Sequence, residues 1–446
     1  MEKTWRWFGK KDKITLAQLK QIGVEGIVTA LHDVPLGQVW TREKIRDLNE
    51  YIKSYGMRWS VVESLPVVET IKYGGPDRDE QIEVYKQSLR NLAAEGVNCI
   101  CYNFMPVLDW ARTDLAHENP NGASNLYFNY AEFAYFDIYI LKRPGAREEW
   151  AEFTFPEGYG EGRNVLAEAD AMVKDMTPEK EHKLVENIII KTQGFVSGNF
   201  SENDEAPVQK FREFLDLYKD IDKDKLRANM KYFLEAIMPV CEECNINMCV
   251  HPDDPPIEIL GLPRIVRTED DIRWFLNAVP NKHNGLTFCA GSLSAGAYND
   301  VVELAKEFAP RTHFIHLRSC HIFPNGDFTE AIMASSFDWN GKKAPCSFAT
   351  ENDTLNGITM LFATLLTGKA PCFHDVRTYW SPEALKKATG YELEGKAKES
   401  KGFIHLINSG ACCLDACGEV KDADGNGIIK EWYDITDADI KTINDA

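Results

Sequence analysis

Short apolar runs rich in β-branched and aromatic residues recur along the first three quarters of the chain, at 4–8, 26–30, 58–64, 97–104, 246–251, 286–289 and 313–317. Between them, stretches such as 16–22, 43–55 and 81–94 repeat apolar residues at helical intervals. Strands apolar on both faces, alternating with helices, predict a parallel sheet covered on both sides. Seven such strands within residues 1–320 suit a (β/α)8 TIM barrel better than an open doubly wound sheet. No Gly-x-Gly-x-x-Gly follows any of these strands, so a dinucleotide fold has no support.

The alternation breaks between about 111 and 230, where charged helical stretches dominate: 166–174, 179–192 and 208–217. An insertion of this size after the fourth strand predicts a helical lid over the barrel mouth, or an oligomer contact.

Composition narrows the function classes. The chain has 446 residues and a formal net charge of −19, which argues against binding a nucleic-acid backbone. No 18-residue apolar run predicts a membrane span, and residues 1–10 lack the apolar centre of a secretory signal. The twelve cysteines keep no framework spacing. A reducing, cytoplasmic setting is the expectation.

In a barrel, chemistry collects where the strands end. The strand ends here carry His32 and Asp33, then Glu63, Asn103, His251, Cys289 and His316. His251, Cys289 and His316 are metal-ligand types on three successive strands, so they are expected to share one ion. A lone buried histidine is more often a satisfied core residue, and a lone buried cysteine is usually packing. Their conjunction is what points to metal. His251 opens HPDDPP, which places Asp253 and Asp254 beside the ion as acids or as partners that support the ligands; a rigid turn is the plainer reading of the same residues. Arg318, two residues past His316, is a candidate cation for a substrate carboxylate, or a surface charge. Ligand softness favours zinc or iron over manganese at such a site.

Long stretches of residues 1–320 resemble the mannonate dehydratases of hexuronate (glucuronate) catabolism. They are TWRWFG (4–9), GIVTALHDVPLGQVW (26–40), WSVVESLPV (59–67), YKQSLRNLAAEGVNCICYNFMPVLDWARTDL (85–115), FDIYILKRPGA (136–146), HPDDPP (251–256), FCAGSLSAG (288–296) and HFIHLRS (313–319). The resemblance implies a barrel of the xylose-isomerase-like kind and a hydro-lyase that converts the sugar acid D-mannonate to 2-keto-3-deoxy-D-gluconate. It implies a divalent ion, Mn2+ or Fe2+, with His251, Cys289 and His316 matching three of its ligands. Asp253 and Arg318 are then candidate catalytic groups, and Asn103, Asp109 and Arg112 candidate substrate contacts. A cytoplasmic homo-oligomer is expected, with no nucleic-acid or membrane partner.

In that family an eighth strand follows, with an Arg-Pro-Asp-His-Gly stretch whose Asp is the fourth ligand. No such stretch occurs here. From about residue 321 the chain instead resembles an internal piece of L-fucose isomerase, in PNGDFTEAIMASSFDWNG (324–341), FATENDTLNGITMLFATLLTG (348–368), HDVRTYWSPEALKKATGYELEG (374–395) and IHLINSGACCLD (404–415). This resemblance implies isomerase-like metal positions at Glu351 and Asp375. The expected organisation is therefore a chimera: a barrel at 1–320 lacking its eighth strand unit, and a C-terminal α/β fragment at 321–446. Residues 371–375 could supply a substitute strand that brings Asp375 to the missing fourth-ligand position. The run Asp422-Ala-Asp424-Gly-Asn426-Gly resembles half a calcium loop, but its twelfth position is Tyr433, and a turn explains it better.

Overall fold

The computed structural model describes residues 2–118, 124–193, 200, 205–318 and 320–330, together with the backbone of two short strands, Thr378–Trp380 and Ile404–Leu406. The chain divides into two compact units. The first comprises 1–299, 311–316 and 322–329; the second comprises 300–310, 317–321 and 330–446.

The first unit holds a seven-stranded sheet formed by β1 (Thr4–Arg6), β2 (Gly26–Thr29), β3 (Arg58–Glu63), β4 (Cys99–Tyr102), β7 (Asn247–Val250), β8 (Asn284–Cys289) and β9 (Thr312–His316), in that order. Every neighbouring pair is parallel. These are the seven strands that the apolar runs predict. Both β2 and β8 are buried at every position, as a sheet covered on both faces requires. Inward side chains from five strands, Val28, Val61, Cys101, Cys249 and Phe314, form one buried cluster, the filled interior of a barrel. Among the described residues no strand pairs with the outer edge of β1 or of β9.

Helices between the strands start on side-chain caps. Thr15 opens Leu16–Gln21 with a reciprocal capping box to Gln18, and Thr41 caps Arg42–Ser54. The latter buries Ile45, Asn49 and Ile52, which share one helical face. Lys223–Cys244 is one continuous helix that runs into β7 and contains Pro239. Its Phe233 ring packs on Tyr85, Tyr102 and Phe104 at centroid distances of 5.1, 5.9 and 5.9 Å. It is thus a barrel helix, and the inserted region ends at about residue 222 rather than 230.

The inserted region also begins differently from the expected helices. It opens with an antiparallel pair, β5 (Asp114–Glu118) and β6 (Ser124–Phe128), before helices such as Tyr130–Tyr135, Ala146–Glu152 and Val165–Met172. After a short strand β10 (Cys320–Ile322), residues Phe328 and Thr329 of β11 (Phe328–Glu330) pair antiparallel with β6. The Phe128 and Phe328 rings stack at 5.1 Å. Just before β11, the Asp327 carboxylate accepts from the Tyr130 N–H at 2.9 Å, the Asn129 amide at 3.2 Å and the Tyr127 hydroxyl at 3.1 Å. It also pairs with Arg163 at 2.7 Å. Residues 322–329 are thereby tied into the inserted region. In the second unit, Thr378–Trp380 and Ile404–Leu406 form an antiparallel pair. Among the described residues no helix is long and apolar enough to cross a membrane.

Candidate metal centre

The sheet delivers three ligand-type side chains to one place. His251 is the residue after β7, and its N–H donates to the Tyr102 carbonyl at 2.9 Å, so the ladder to β4 continues one step past the strand. Cys289 is the last residue of β8 and lies opposite His316, the last residue of β9. Close approach of β8 and β9 needs glycine at 285, where a Cβ would stand 2.2 Å from the His313 ring and 2.5 Å from the Arg311 carbonyl. The ligand atoms of His251, Cys289 and His316 all lie within 4.8 Å of one another, and this is the only such group of three or more among the described residues. Cys289 is fully buried.

Each imidazole has a partner on one nitrogen. His251 Nδ1 lies 2.7 Å from the Pro252 carbonyl oxygen. A carbonyl only accepts, so Nδ1 carries the hydrogen and Nε2 keeps its lone pair when the ring is neutral. Burial disfavours the charged ring, but the interaction with Cys289 raises the His251 pKa to about 9. Burial likewise opposes charge on His316, yet Glu63 and Cys289 hold its pKa well above the ordinary value. Glu63 is half-buried, which opposes its charge, but Arg6 and the two histidines keep its carboxyl well below the usual range. A divalent cation would displace the protons that the ligand side chains hold.

A second layer supports Cys289. Its sulfur caps the turn Ala290–Ser294, accepting from the Ser292 N–H at 3.5 Å, and the Ser292 hydroxyl lies 3.1 Å away. That hydroxyl is also 2.9 Å from Asp254, whose other oxygen pairs with Arg112 at 2.8 Å. Arg112, expected to touch substrate, is instead fully buried and lies over the Phe328 ring at 4.9 Å. Asp253, expected as an acid or base, is 2% exposed; it accepts from the Val266 N–H at 2.8 Å and faces Arg264 at 3.6 Å. Asn103 follows β4 and its amide donates to the Asp109 carboxylate, while the Asp109 N–H donates to Gln193 at 2.8 Å. Burial lifts the Asp109 pKa to about 6 against the opposing pull of His251, Lys72 and Asn103. Arg318 lies in the second unit and pairs with Glu330. His32, three residues past β2, stays outside the cluster, and burial with the Arg6 charge lowers its pKa to about 4. Glu351 and Asp375 lie outside the described residues.

The sequence names Glu63 as a strand-end residue without giving it a role. It is silent on Ser292 and Gln193. Ser292 carries one usable signal: a hydroxyl three residues after a cysteine that ends a strand, the spacing of a helix cap.

A parallel barrel that brings two imidazoles and a thiol together at its strand ends has the donor set of a metal enzyme. The D-mannonate dehydratase (UxuA) family profile matches residues 1–343, and the chain belongs to this family of metal-dependent hydro-lyases. A mannonate dehydratase from Marinomonas sp. is 45% identical over 319 residues, covering 72% of this chain and 77% of that protein. One from Chromohalobacter salexigens is 44% identical over the same coverage. The crystal structure of mannonate dehydratase from Streptococcus suis serotype 2 superposes with a TM-score of 0.58 at 29% identity, covering 84% of this chain and 97% of that one. The family match runs on through residue 343, past the boundary expected at about residue 320.

Proposed function

We propose that the chain dehydrates D-mannonate to 2-keto-3-deoxy-D-gluconate at the cluster of His251, Cys289 and His316. The observation that carries this reading is the convergence of those three ligand atoms at the barrel mouth of a chain of this family. The donor set fits a divalent ion. Two imidazoles and a thiol with ligand atoms within 4.8 Å of one another are close enough for one ion to be held by all three. Mn2+ or Fe2+ is the proposed metal. It would act as a Lewis acid on the sugar-acid oxygens.

The reaction removes the C2 proton and the C3 hydroxyl as water. The resulting enol then takes up a proton at C3 as its hydroxyl becomes the C2 ketone. The C2 proton is weakly acidic, so a base must be positioned against it. Asn103 and Asp109 are proposed to orient the substrate hydroxyls, with Asp109 able to hold or release a proton near pH 6. Arg112 and Asp253 are proposed to act from beneath: Arg112 through Asp254 and Ser292 on Cys289, and Asp253 by bracing the loop after His251. D-mannonate turnover that depends on added Mn2+ or Fe2+ and is lost in Cys289→Ser tests the reading.

Asp109 has a separate signature in the metal-free protein. Its carboxyl keeps a proton to about pH 6 when folded, against an ordinary value of 3.8. Between those values the folded state binds more protons than the unfolded state. Stability that Asp109 contributes at low pH is therefore lost as pH rises through about 6. Asp109→Asn is expected to remove that slope and to leave the metal-free chain ~1–3 kcal/mol more stable than wild type at pH 7. Urea unfolding of both forms at about pH 4 and pH 7, either side of the shifted value, measures it. Equal differences at the two pH values contradict it.

The chimera reading is also proposed, resting on the motifs at 348–368, 374–395 and 404–415. Glu351 and Asp375 would then be remnants of an isomerase metal site, or Asp375 a substitute fourth ligand. Genomic reads spanning codons 315–350 test the junction, and manganese retention in Asp375→Asn tests the ligand. A cytoplasmic homo-oligomer remains the expected state, measured by light scattering.

A further inference from the structure

Glu63, Arg6 and His316 are the last residues of β3, β1 and β9. Their side chains form a continuous polar chain: Arg6 pairs with Glu63 at 2.8 Å, and the same Glu63 oxygen, Oε2, lies 3.2 Å from His316 Nε2. β1 and β9 are the two edge strands of the seven-stranded sheet, so this chain links its edges at the carboxyl end. It rests on side chains where the described residues show no strand ladder.

We propose that Glu63 is a positioning residue that sets His316 for metal binding, with Arg6 fixing the carboxylate. This rests on the metal-centre reading above. An ionised carboxylate only accepts hydrogen bonds, so its contact requires the hydrogen of a neutral His316 ring to sit on Nε2. The lone pair is then on Nδ1, the nitrogen left for the ion. His251 is set the opposite way by the Pro252 carbonyl, which puts the lone pair of its neutral ring on Nε2. The two imidazoles thus present different nitrogens to one ion, and each is held by an oxygen acceptor behind it. A partner behind a metal-bound imidazole fixes the ring's orientation and raises its basicity; removing one typically lowers metal affinity about 10- to 100-fold.

The test measures Mn2+ affinity by equilibrium dialysis on folded wild type and variants, with far-UV circular dichroism and metal-free thermal unfolding as fold controls. Glu63→Ala is expected to weaken Mn2+ binding about 10- to 100-fold. Glu63→Gln, which keeps an oxygen acceptor, is expected to lose less and replaces Glu63→Ala in the comparison should that variant misfold. In a His316→Ala background, Glu63→Ala is expected to add no further loss, because the group it positions is gone. The Co2+-substituted protein supplies a spectroscopic readout: the thiolate charge-transfer band from Cys289 should persist in Glu63→Gln while the ligand-field bands shift. Wild-type affinity in both Glu63 variants overturns the proposal. So does a loss of equal size with and without His316, which would make Glu63 an independent ligand or a fold determinant. Failure of wild type to bind Mn2+ or Co2+ at all would instead overturn the metal-centre reading.

Discussion

His251→Ala is expected to abolish metal retention and, with it, D-mannonate turnover. The residue occupies the first position after β7, where its own N–H still belongs to the ladder with β4. Its removal deletes one of three ligand atoms and leaves the Cys289 thiolate facing His316 alone. Alanine keeps the backbone bond and fills no new space, so the fold should survive. Two ligands cannot hold a divalent ion against water and chelator as three or four do, and loss of a Lewis acid removes several kcal/mol of transition-state stabilisation. Turnover should fall at least about 10³-fold, which corresponds to about 4 kcal/mol. Elemental analysis after gel filtration and a discontinuous assay for the 2-keto-3-deoxy acid measure the two losses. Metal-replete His251→Ala protein with ordinary turnover would contradict the assignment.

Arg112→Met should destabilise the fold more than the loss of any one side chain of the metal cluster. The Arg112 guanidinium and the Asp254 carboxylate are 0% and 2% exposed and meet at 2.8 Å. Breaking a buried pair from one side leaves the other charge without compensation, at a cost of about 3–5 kcal/mol. Methionine matches much of the arginine stem, so cavity formation adds little. The double variant Arg112→Met/Asp254→Asn should recover part of the loss, because no buried charge remains. Urea unfolding of the three proteins measures both effects. Because Asp254 also meets Ser292, which lies against Cys289, the single variant should bind metal more weakly even where it remains folded. A loss below about 1 kcal/mol would mean that water reaches this pair.

The seven strands were legible because each is a continuous apolar run between helical patterns, a signal that survives without knowing which strands pair. The convergence of three ligand-type side chains was legible for a related reason. In a barrel, consecutive strand ends are neighbours, so His251, Cys289 and His316 could be grouped from order alone. The β5–β6 pair was not legible. Asp114, His117 and Glu118 give it no alternation, and β6 finds its outer partner about 200 residues away, through Phe128 on Phe328. The buried Arg112–Asp254 pair joins residues 142 apart in sequence, so nothing local to Arg112 shows that its charge is matched inside the fold rather than by substrate. Asp253 and Asp254 are adjacent and identical in type, yet one faces Arg264 and the other Arg112. Only the path of the loop after β7 separates their roles. Glu63 stood at a strand end like the ligands, but its contact with His316 crosses from β3 to β9, and strand order does not show it.

The most direct test of metal-dependent dehydration is an end-point measurement of 2-keto-3-deoxy-D-gluconate formed from D-mannonate by the purified chain, with and without Mn2+, after removal of bound metal by chelator. Product is expected only with the ion restored. Folded, metal-replete protein that forms no product from D-mannonate, or equal product in chelator, would contradict this function.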